Sequence, residues 1–436
     1  MSLIHKQELS TLHEVHISNI CPGIDLTCIH TDKFKTGVMS INLISALSRA
    51  SAASSALLPR VLRRGSSDHP DMDSIASALD DLYGSNIEPI VRKKGELHCI
   101  GLHIDFPDEF YIPGTGNILE DTFSLAGEIL LSPSMRGGLL KVDYIDSERK
   151  NLIDDIRASI NDKRGYAIDR LLEEMCSEEA YSVSRLGSEK EAREITPDSL
   201  TAHYRSIIAE SKVELLFCGS AEPSRVESTL RAALHNLLEH RNAMIPETNV
   251  ILAPPEGSPK NITETLDVSQ GKLAMGFRLG KDLKTTLDYP AVMVFNSIYG
   301  SGVTSKLFVN VREKLALCYY ASSMIDKHKS IMIVSSGIDF QNRDVALDEI
   351  LVQLDHVKKG QVSESELTSA KSSVTTSIKS AMDRPSGLME LYFDSSVSAQ
   401  RYDPETLCDA VESVTLDSVV ETSSDIELDT VYFLRN

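Results

Sequence analysis

The sequence predicts an α+β fold made of two domains of the same design, each a mostly antiparallel sheet with helices packed on it. Its 436 residues are too many for one hydrophobic core and enough for two cores of about 200 residues each. A strand–turn–strand segment also occurs twice: LYGSNIEPIVRKKGELHCIGLHIDF at residues 82–106 corresponds to LCYYASSMIDKHKSIMIVSSGIDF at residues 317–340. Each copy lies between two predicted helices, and such an internal repeat indicates duplicated domains.

A proline-rich segment at residues 242–262 separates the two copies, with prolines at positions 246, 254, 255 and 259. This composition favours an extended and weakly packed chain. We therefore expect an N-terminal domain at residues 1–241, a linker at 242–262 and a C-terminal domain at 263–436.

The composition excludes several classes of protein. A net charge of −20 argues against binding to nucleic acid or to anionic membrane surfaces, and it fits both ordinary solubility and an acidic chamber for basic peptides. The seven cysteines contain no C-x-x-C pair, which indicates reduced thiols in a cytoplasmic protein. The N-terminus lacks the pattern of a secretory signal, and no apolar run approaches the ~20 residues that span a bilayer.

In the N-terminal half, alternating apolar residues predict strands and apolar residues at helical spacing predict helices. Ser48 is the candidate cap of the first helix and Gly65 its stop, while Leu152, Ile156 and Ile160 lie four apart in one long helical run. A threonine and a proline at 196–197 begin a later helix. The predicted strands are 23–30, 36–47, 86–91, 97–106 and 213–218, and the predicted helices are 48–65, 73–82, 117–131, 144–176, one from 196 onwards and 224–241.

The C-terminal half repeats this plan. Ser363 and Glu366 form a candidate capping box at the start of one of its helices. The predicted strands are 272–279, 318–322, 330–339 and 429–434, and the predicted helices are 289–299, one from about 305, 343–358, 363–382 and further helix before the last strand.

The stretch NSIYGSGVTSKLFVNVREKLALCYYASS, residues 296–323, is the most informative part of this half. Two glycines, at 300 and 302, end one helix, and apolar residues at helical spacing begin a second helix at about 305. The chain then turns into a strand. Arg312 and Tyr319 flank that turn, so a guanidinium and a phenol can project from the same corner.

This stretch resembles the C-terminal signature of the pitrilysin/insulinase-type zinc metallopeptidases, whose usual form is G-G-x-S-S-x-L-F-x-x-x-R-E-K-x-G-L-A-Y. The resemblance covers essentially the whole chain, since that family is built from such duplicated domains. It implies that Arg312 and Tyr319 reach over a scissile peptide bound at a zinc carried by another domain or subunit. Ala316 stands where the family usually has glycine, which would tighten the turn and shift Tyr319. Tyr320 would point to the opposite face of a regular strand.

From spacing alone, Arg312 and Tyr319 also have an ordinary explanation. An arginine beside a glutamate on a helix is typical of a surface ion pair, and a tyrosine entering a strand is typical of a half-buried core residue.

The zinc motif of the family is missing. Catalytic members carry H-x-x-E-H on the first helix, where two imidazoles four residues apart hold Zn²⁺ and the carboxylate acts as the base. Anchoring on the Gly-Ser pair at 65–66 places this pentad on residues 56–60. Ala56 cannot bind a metal, Pro59 has no carboxylate and would kink or restart the helix, and Arg60 would repel a dication. No H-x-x-E-H occurs anywhere in the sequence.

The third zinc ligand of the family is a glutamate in a context like D-S-E-x-x-K-N. The segment DSERKN at 146–151 matches it with one residue fewer, so Glu148 corresponds to that ligand. A single carboxylate gives no useful zinc affinity, and the simpler interpretation of Glu148 is a solvated or ion-paired helix residue. We expect no metal in this chain.

Two histidine pairs look like metal sites but are poor candidates. His235 and His240 are five residues apart, which places their rings roughly 140° apart on a helix. His13 and His16 would both be available in an irregular or loosely extended segment, but nothing nearby in the sequence supplies matching ligands.

Some family members are two-chain clamshells in which one chain holds the zinc and the other supplies the arginine and tyrosine. The resemblance implies that this chain is the second kind, a non-catalytic subunit of a cytoplasmic zinc peptidase. Arg312 and Tyr319 would then bind the substrate carbonyl and stabilise the oxyanion at the partner's zinc, while sheet edges hold an extended peptide by strand addition. The expected partners are a paralogous subunit with an intact zinc motif and a peptide substrate, with zinc only in that subunit.

Two other functions stay open. The first is a purely structural or peptide-binding scaffold with no role in catalysis. The second is an independent peptidase with a rearranged site. The sequence also leaves open whether the isolated chain forms a homodimer.

Overall fold

The computed structural model describes residues 13–112, 114, 116–238, 241, 243–398 and 402–436. Most of its strands lie in two sheets. The strands are β1 (Glu14–Cys21), β2 (Ile24–His30), β3 (Thr36–Ala46), β4 (Asn86–Lys94), β5 (Leu97–Pro107), β6 (Met135–Arg136), β7 (Leu139–Leu140), β8 (Lys212–Gly219), β9 (Lys260–Thr265), β10 (Gly271–Arg278), β11 (Cys318–Asp326), β12 (Ile331–Ile338) and β13 (Glu427–Arg435).

The helices surround these sheets, and none in the described residues is both long and apolar enough to cross a membrane. A π-helix, Leu307–Lys314, lies before β11. The α-helices are α1 (Ala52–Leu62), α2 (Met72–Asp81), α3 (Ile118–Leu131), α4 (Val142–Ala158), α5 (Lys163–Met175), α6 (Glu189–Glu194), α7 (Pro197–Glu210), α8 (Pro223–Ala233), α9 (His235–Leu238), α10 (Tyr289–Tyr299), α11 (Arg343–Lys358), α12 (Glu364–Met382), α13 (Pro385–Ser396), α14 (Pro404–Ser413) and α15 (Leu416–Ser424).

The two large sheets share one topology. The first has the order β1-β2-β8-β3-β5-β4 and the second the order β11-β12-β10-β13-β9. Strand pairing is antiparallel throughout both sheets except for β2 with β8 in the first and β9 with β13 in the second, which are parallel. The hairpins β4–β5 and β11–β12, which carry the sequence repeat, therefore occupy equivalent edges. This confirms the predicted α+β fold with duplicated, mostly antiparallel sheets; β1 is an addition to the first sheet.

Each half of the chain contributes one helix to the sheet of the other half. Helix α5 packs on β10 and β13 of the second sheet, and α13 packs on β8 and β3 of the first. Apolar side chains of α5 form one core cluster with residues of β10, β12 and β13. Both sheets are thus buried on two faces, which agrees with the nearly continuous apolar runs of their central strands.

The predicted helical run at 144–176 is wrong in one respect, because it is two helices. The chain leaves α4 through a 3-10 turn, Ser159–Asn161, and α5 begins after Asp162. The Asp162 carboxylate accepts hydrogen bonds from the backbone N–H groups of Arg164 and Gly165, which caps the new helix. This break allows α5 to cross to the second sheet.

Buried charges join the halves where these helices cross. The Arg278 guanidinium lies 2.7 Å from Glu179 and 2.8 Å from Asp429, and the Lys329 ammonium lies 2.8 Å from Glu96 and 2.5 Å from Glu179. All five residues are buried, and Glu96 and Glu179 precede the predicted linker whereas the other three follow it. The network therefore fixes one half against the other.

The predicted linker is better packed than its composition indicates. Asn249 donates its N–H to Glu96 and accepts a hydrogen bond from Lys329 through its carbonyl, so it is tied to the buried charges. Strand β9 begins at Lys260, inside the predicted linker, and pairs with β13. The domain bounds themselves stay a prediction.

Candidate functional site

The residues at the position of the family's zinc motif lie on α1 and α4. Ala56 and Pro59 are buried in α1, which runs without interruption from Ala52 to Leu62. Of the two expected effects of Pro59, a kink or a restart, the restart does not occur, because most of α1 is buried and its packing outweighs the lost backbone hydrogen bond. Neither side chain offers a metal ligand.

Guanidinium groups lie at the positions that correspond to the family's zinc ligands. Arg60 pairs with Asp155 at 2.7 Å, and Arg64 pairs with Glu148 at 3.2 Å. Glu148 also accepts a hydrogen bond from the Asn151 amide. Glu148 is therefore an ion-paired helix residue, as its simpler interpretation from the sequence states. The described residues contain no group of three or more side chains that could hold a metal ion. This donor set does not fit a zinc ion.

The two histidine pairs do not form metal sites in the part of the chain that the structure describes. His235 begins the four-residue helix α9, and His240 lies outside the described residues. His13 is buried and lies 2.9 Å from the Tyr392 hydroxyl, whereas His16 is exposed on β1 beside Glu14.

The corner that carries Arg312 and Tyr319 is formed by the π-helix and the start of β11. The sequence predicted a helix beginning at about residue 305, and the structure has a helix there, but its geometry is that of a π-helix. The Arg312 guanidinium lies 4.6 Å from the centre of the Phe308 ring and 3.3 Å from the Glu313 carboxylate. Tyr319 is 65% exposed, and its hydroxyl makes no hydrogen bond to any described residue. The corner thus presents a guanidinium and an unengaged phenol to solvent.

The turn between these two residues has an unusual backbone. Ala316 has a φ of +49°, in the left-handed region that favours glycine, and the Leu317 N–H closes the turn on the Val311 carbonyl at 3.1 Å. This is the position at which the family usually has glycine. Alanine therefore retains the glycine-type turn here.

Tyr320 has a different environment from Tyr319. The pairing of β11 with β12 shifts register between Cys318 and Tyr320, so the strand is irregular where the two tyrosines lie. Tyr320 is half-buried under the guanidinium of Arg164, 4.5 Å from its ring centre, and burial raises the pKa of Tyr320 to about 12. Arg164 also donates to Ser322 on β11 at 2.8 Å.

Sequence reasoning missed Arg164, because it belongs to α5 and lies 158 positions before its partner Ser322. Only the exchange of α5 between the halves brings it to the corner, and no local pattern indicates that exchange.

The outer edges of the two hairpins differ. On β11, the Ser323 N–H bonds the Gly300 carbonyl at 3.1 Å, which covers one end of the edge. On β4, Arg63 donates to the Ile87 carbonyl at 2.8 Å and Arg185 donates to the Val91 carbonyl at 3.3 Å. The edge of β4 is therefore already occupied by side chains of this chain.

Comparison with known proteins identifies the family. The family profile described as "Peptidase M16 inactive domain" matches residues 194–374. The chain is 32% identical over 413 residues to the "Probable inactive metalloprotease YmfF" of Bacillus subtilis (strain 168), covering 95% of this chain and 96% of that protein.

Solved structures agree with this relationship. A conserved protein from Enterococcus faecalis V583 superposes with a TM-score of 0.87 at 25% identity, covering 97% of this chain and 98% of that one. A peptidase M16 inactive domain from Pseudomonas fluorescens gives a TM-score of 0.76 at 16% identity over 97% of this chain and 98% of that one, which supports the fold. With no H-x-x-E-H motif and with arginines around Glu148, the chain belongs to the M16 metallopeptidase family as an inactive homologue.

Proposed function

We propose that this chain is the non-catalytic subunit of a two-chain M16 peptidase and that Arg312 and Tyr319 complete the active site of a paralogous, zinc-binding subunit. The observation that carries the proposal is the exposed Tyr319 phenol, which has no hydrogen-bond partner in the described chain. A tyrosine kept for packing would be buried, and a polar tip kept for stability would have a partner.

The two side chains suit the recognition of a peptide carbonyl. Arg312 keeps N–H donors beyond its contact with Glu313, and the Tyr319 hydroxyl can donate one further hydrogen bond. Donors fixed in place before the reaction stabilise the negative charge that develops on a carbonyl oxygen during hydrolysis. The metal chemistry would belong to the partner, since the residues at 56–60 and Glu148 do not fit zinc.

The neighbouring strand offers a place for the peptide backbone. β11 is an edge strand, and Ala321, two residues before Ser323, turns its backbone groups to the same outer side. An extended peptide can add there between Tyr319 and the contact of Ser323 with Gly300. A cytoplasmic location fits the seven free cysteines, six of which are buried.

The test is peptide cleavage by the purified chain mixed with a zinc-motif paralogue encoded beside it. We expect Arg312→Ala and Tyr319→Phe each to lower turnover, by about 10²-fold for Arg312→Ala, because an oxyanion-stabilising donor is lost. Co-elution of the two subunits should not change. Arg193→Ala, which removes a surface arginine whose ion-pair partner among the described residues is Glu189, is the matched control and should keep full activity.

Equal turnover of wild type and both variants in an active complex would contradict the role of the pair. If the partner subunit binds this chain but cleaves the peptide equally fast with and without it, the scaffold function would be supported instead.

A further inference from the structure

The proposed function gives no role to a cavity that lies beside α1 and α4. It measures about 510 Å³, a size typical of ligand sites, and lies where catalytic relatives carry their zinc motif. Four arginines line it, against three carboxylates, in a protein whose net charge is −20. The arginines are Arg60, Arg63, Arg64 and Arg185.

Two of these arginines have no carboxylate within ion-pair distance among the described residues. Arg60 and Arg64 have carboxylate partners, but Arg63 and Arg185 pair with no carboxylate in the described chain. Arg63 uses its Nε to hold the Ile87 carbonyl, and Arg185 uses one Nη to hold the Val91 carbonyl. Each guanidinium thus makes one hydrogen bond to β4 while its other N–H groups remain available to a ligand. The Nε of Arg64 is also buried without a hydrogen-bond partner among the described residues.

The same contacts close the adjacent strand edge. Ile87, Pro89 and Val91 have the same parity on β4, and their backbone groups face away from β5. The carbonyls of the first and third are bound by arginines, and Pro89 has no N–H to donate. A peptide therefore cannot add to β4 as a further strand, and a ligand must meet the cavity through its charged group.

We propose that this cavity binds the carboxylate of a peptide, most simply its free C-terminus. Either Arg63 or Arg185 would hold both carboxylate oxygens through its remaining N–H groups, since one planar guanidinium matches the two oxygens of one carboxylate. Met72, Pro89 and Val91 line the same cavity and would contact the hydrocarbon part of the terminal residue. The site uses none of the residues at the corner of Arg312, so it is independent of the proposed function.

The experiment titrates the full chain, without any partner subunit, with three probes by calorimetry. The probes are acetyl-Ala-Ala-Leu with a free C-terminus, the same peptide as its C-terminal amide, and inorganic phosphate. We expect the free acid to bind and the amide to bind at least about tenfold more weakly, because the charge-assisted hydrogen bonds are lost. The variant Arg63→Gln/Arg185→Gln should weaken binding of the acid by a similar factor, whereas Arg231→Gln, a surface arginine paired with Glu227, should not.

Equal binding of acid and amide would overturn the proposal, as would the absence of binding at millimolar peptide. Binding of phosphate without binding of the acid would make the cavity a site for small inorganic anions and would also overturn it. If the double variant fails to fold, the comparison of acid with amide on the wild-type chain still decides.

Discussion

The turn between the π-helix and β11 depends on one residue, Ala316, whose φ of +49° lies in the left-handed region. For a residue with a Cβ atom this conformation costs about 1–2 kcal/mol. Glycine removes that cost but loses about 0.5–1 kcal/mol through the greater entropy of the unfolded chain. The balance still favours glycine at this position.

We expect Ala316→Gly to leave the free energy of unfolding unchanged or raise it by up to about 1 kcal/mol. Ala316→Val should lower it by about 2 kcal/mol, because a β-branched residue tolerates this region poorly. Ala76→Gly, at an exposed position in the middle of α2, is the control and should cost about 1 kcal/mol. Urea denaturation measures all three, and a loss of stability in Ala316→Gly as large as in Ala76→Gly would show that the turn carries no strain.

Single residues were predictable from the sequence where a motif fixes their spacing. Arg312 and Tyr319 flank the turn between the π-helix and β11, and Ala316 stands out because glycine is usual there. The contacts of Arg63 and Arg185 with β4 were not predictable, since each joins a side chain to a backbone carbonyl on a distant part of the chain. Hydrogen bonds of that kind depend on packing and leave no pattern in the sequence.

The boundaries of helices and strands were also predictable where a local sequence pattern marks them, and not where they depend on distant contacts. The helices α10 and α11 begin and end at the predicted residues, and Ser363 and Glu366 form the predicted capping box of α12. β1 was missed. The break between α4 and α5 was also missed, because apolar residues keep their helical spacing across it while a single aspartate at 162 starts the second helix. The spacing of apolar residues therefore predicted most of the helices and strands, but it did not indicate which sheet α5 would cover.

Asp162 is therefore the residue to change at α5. We expect Asp162→Ala to lower the free energy of unfolding by about 1 kcal/mol, because the N–H groups of Arg164 and Gly165 lose their acceptor. Asp162→Asn keeps a side-chain oxygen and should retain most of that stability. Hydrogen exchange should also accelerate in the first turn of α5 in the alanine variant; unchanged exchange there would contradict the capping role.

At the scale of the whole molecule, the exchanged helices and the buried charges couple the two halves. Neither sheet keeps both of its faces covered if the halves separate, because α5 and α13 would leave the sheets they cover. A clamshell motion between the two halves of this chain would thus break both helix–sheet contacts, so in the proposed two-chain peptidase the motion would occur between the subunits. The sequence repeat predicted the duplication, but two copies of one design can lie side by side without exchanging helices.

Lys329 tests this coupling, because it joins Glu96 and Glu179 of the first half to the second. Burial alone would raise the pKa of Glu179, but hydrogen bonds from Arg278 and Lys329 outweigh it and hold that pKa below its usual value. The stability that Glu179 contributes is therefore complete above the unfolded-state pKa of about 4.3 and is lost as the pH falls through the lower folded-state pKa.

We expect Lys329→Met to lower the free energy of unfolding at pH 7 by about 3–5 kcal/mol, because it leaves the buried Glu96 carboxylate without its cation and Glu179 with Arg278 alone. The part of the deficit that belongs to Glu179 should shrink as the pH falls below about 4, where that carboxylate takes up a proton. Lys359→Met, which removes a surface pair with Asp355, should cost less than about 0.5 kcal/mol at either pH. Urea denaturation at both pH values, followed by circular dichroism, gives the comparison. A deficit that does not change with pH would mean that Lys329 stabilises the junction through packing and not through charge.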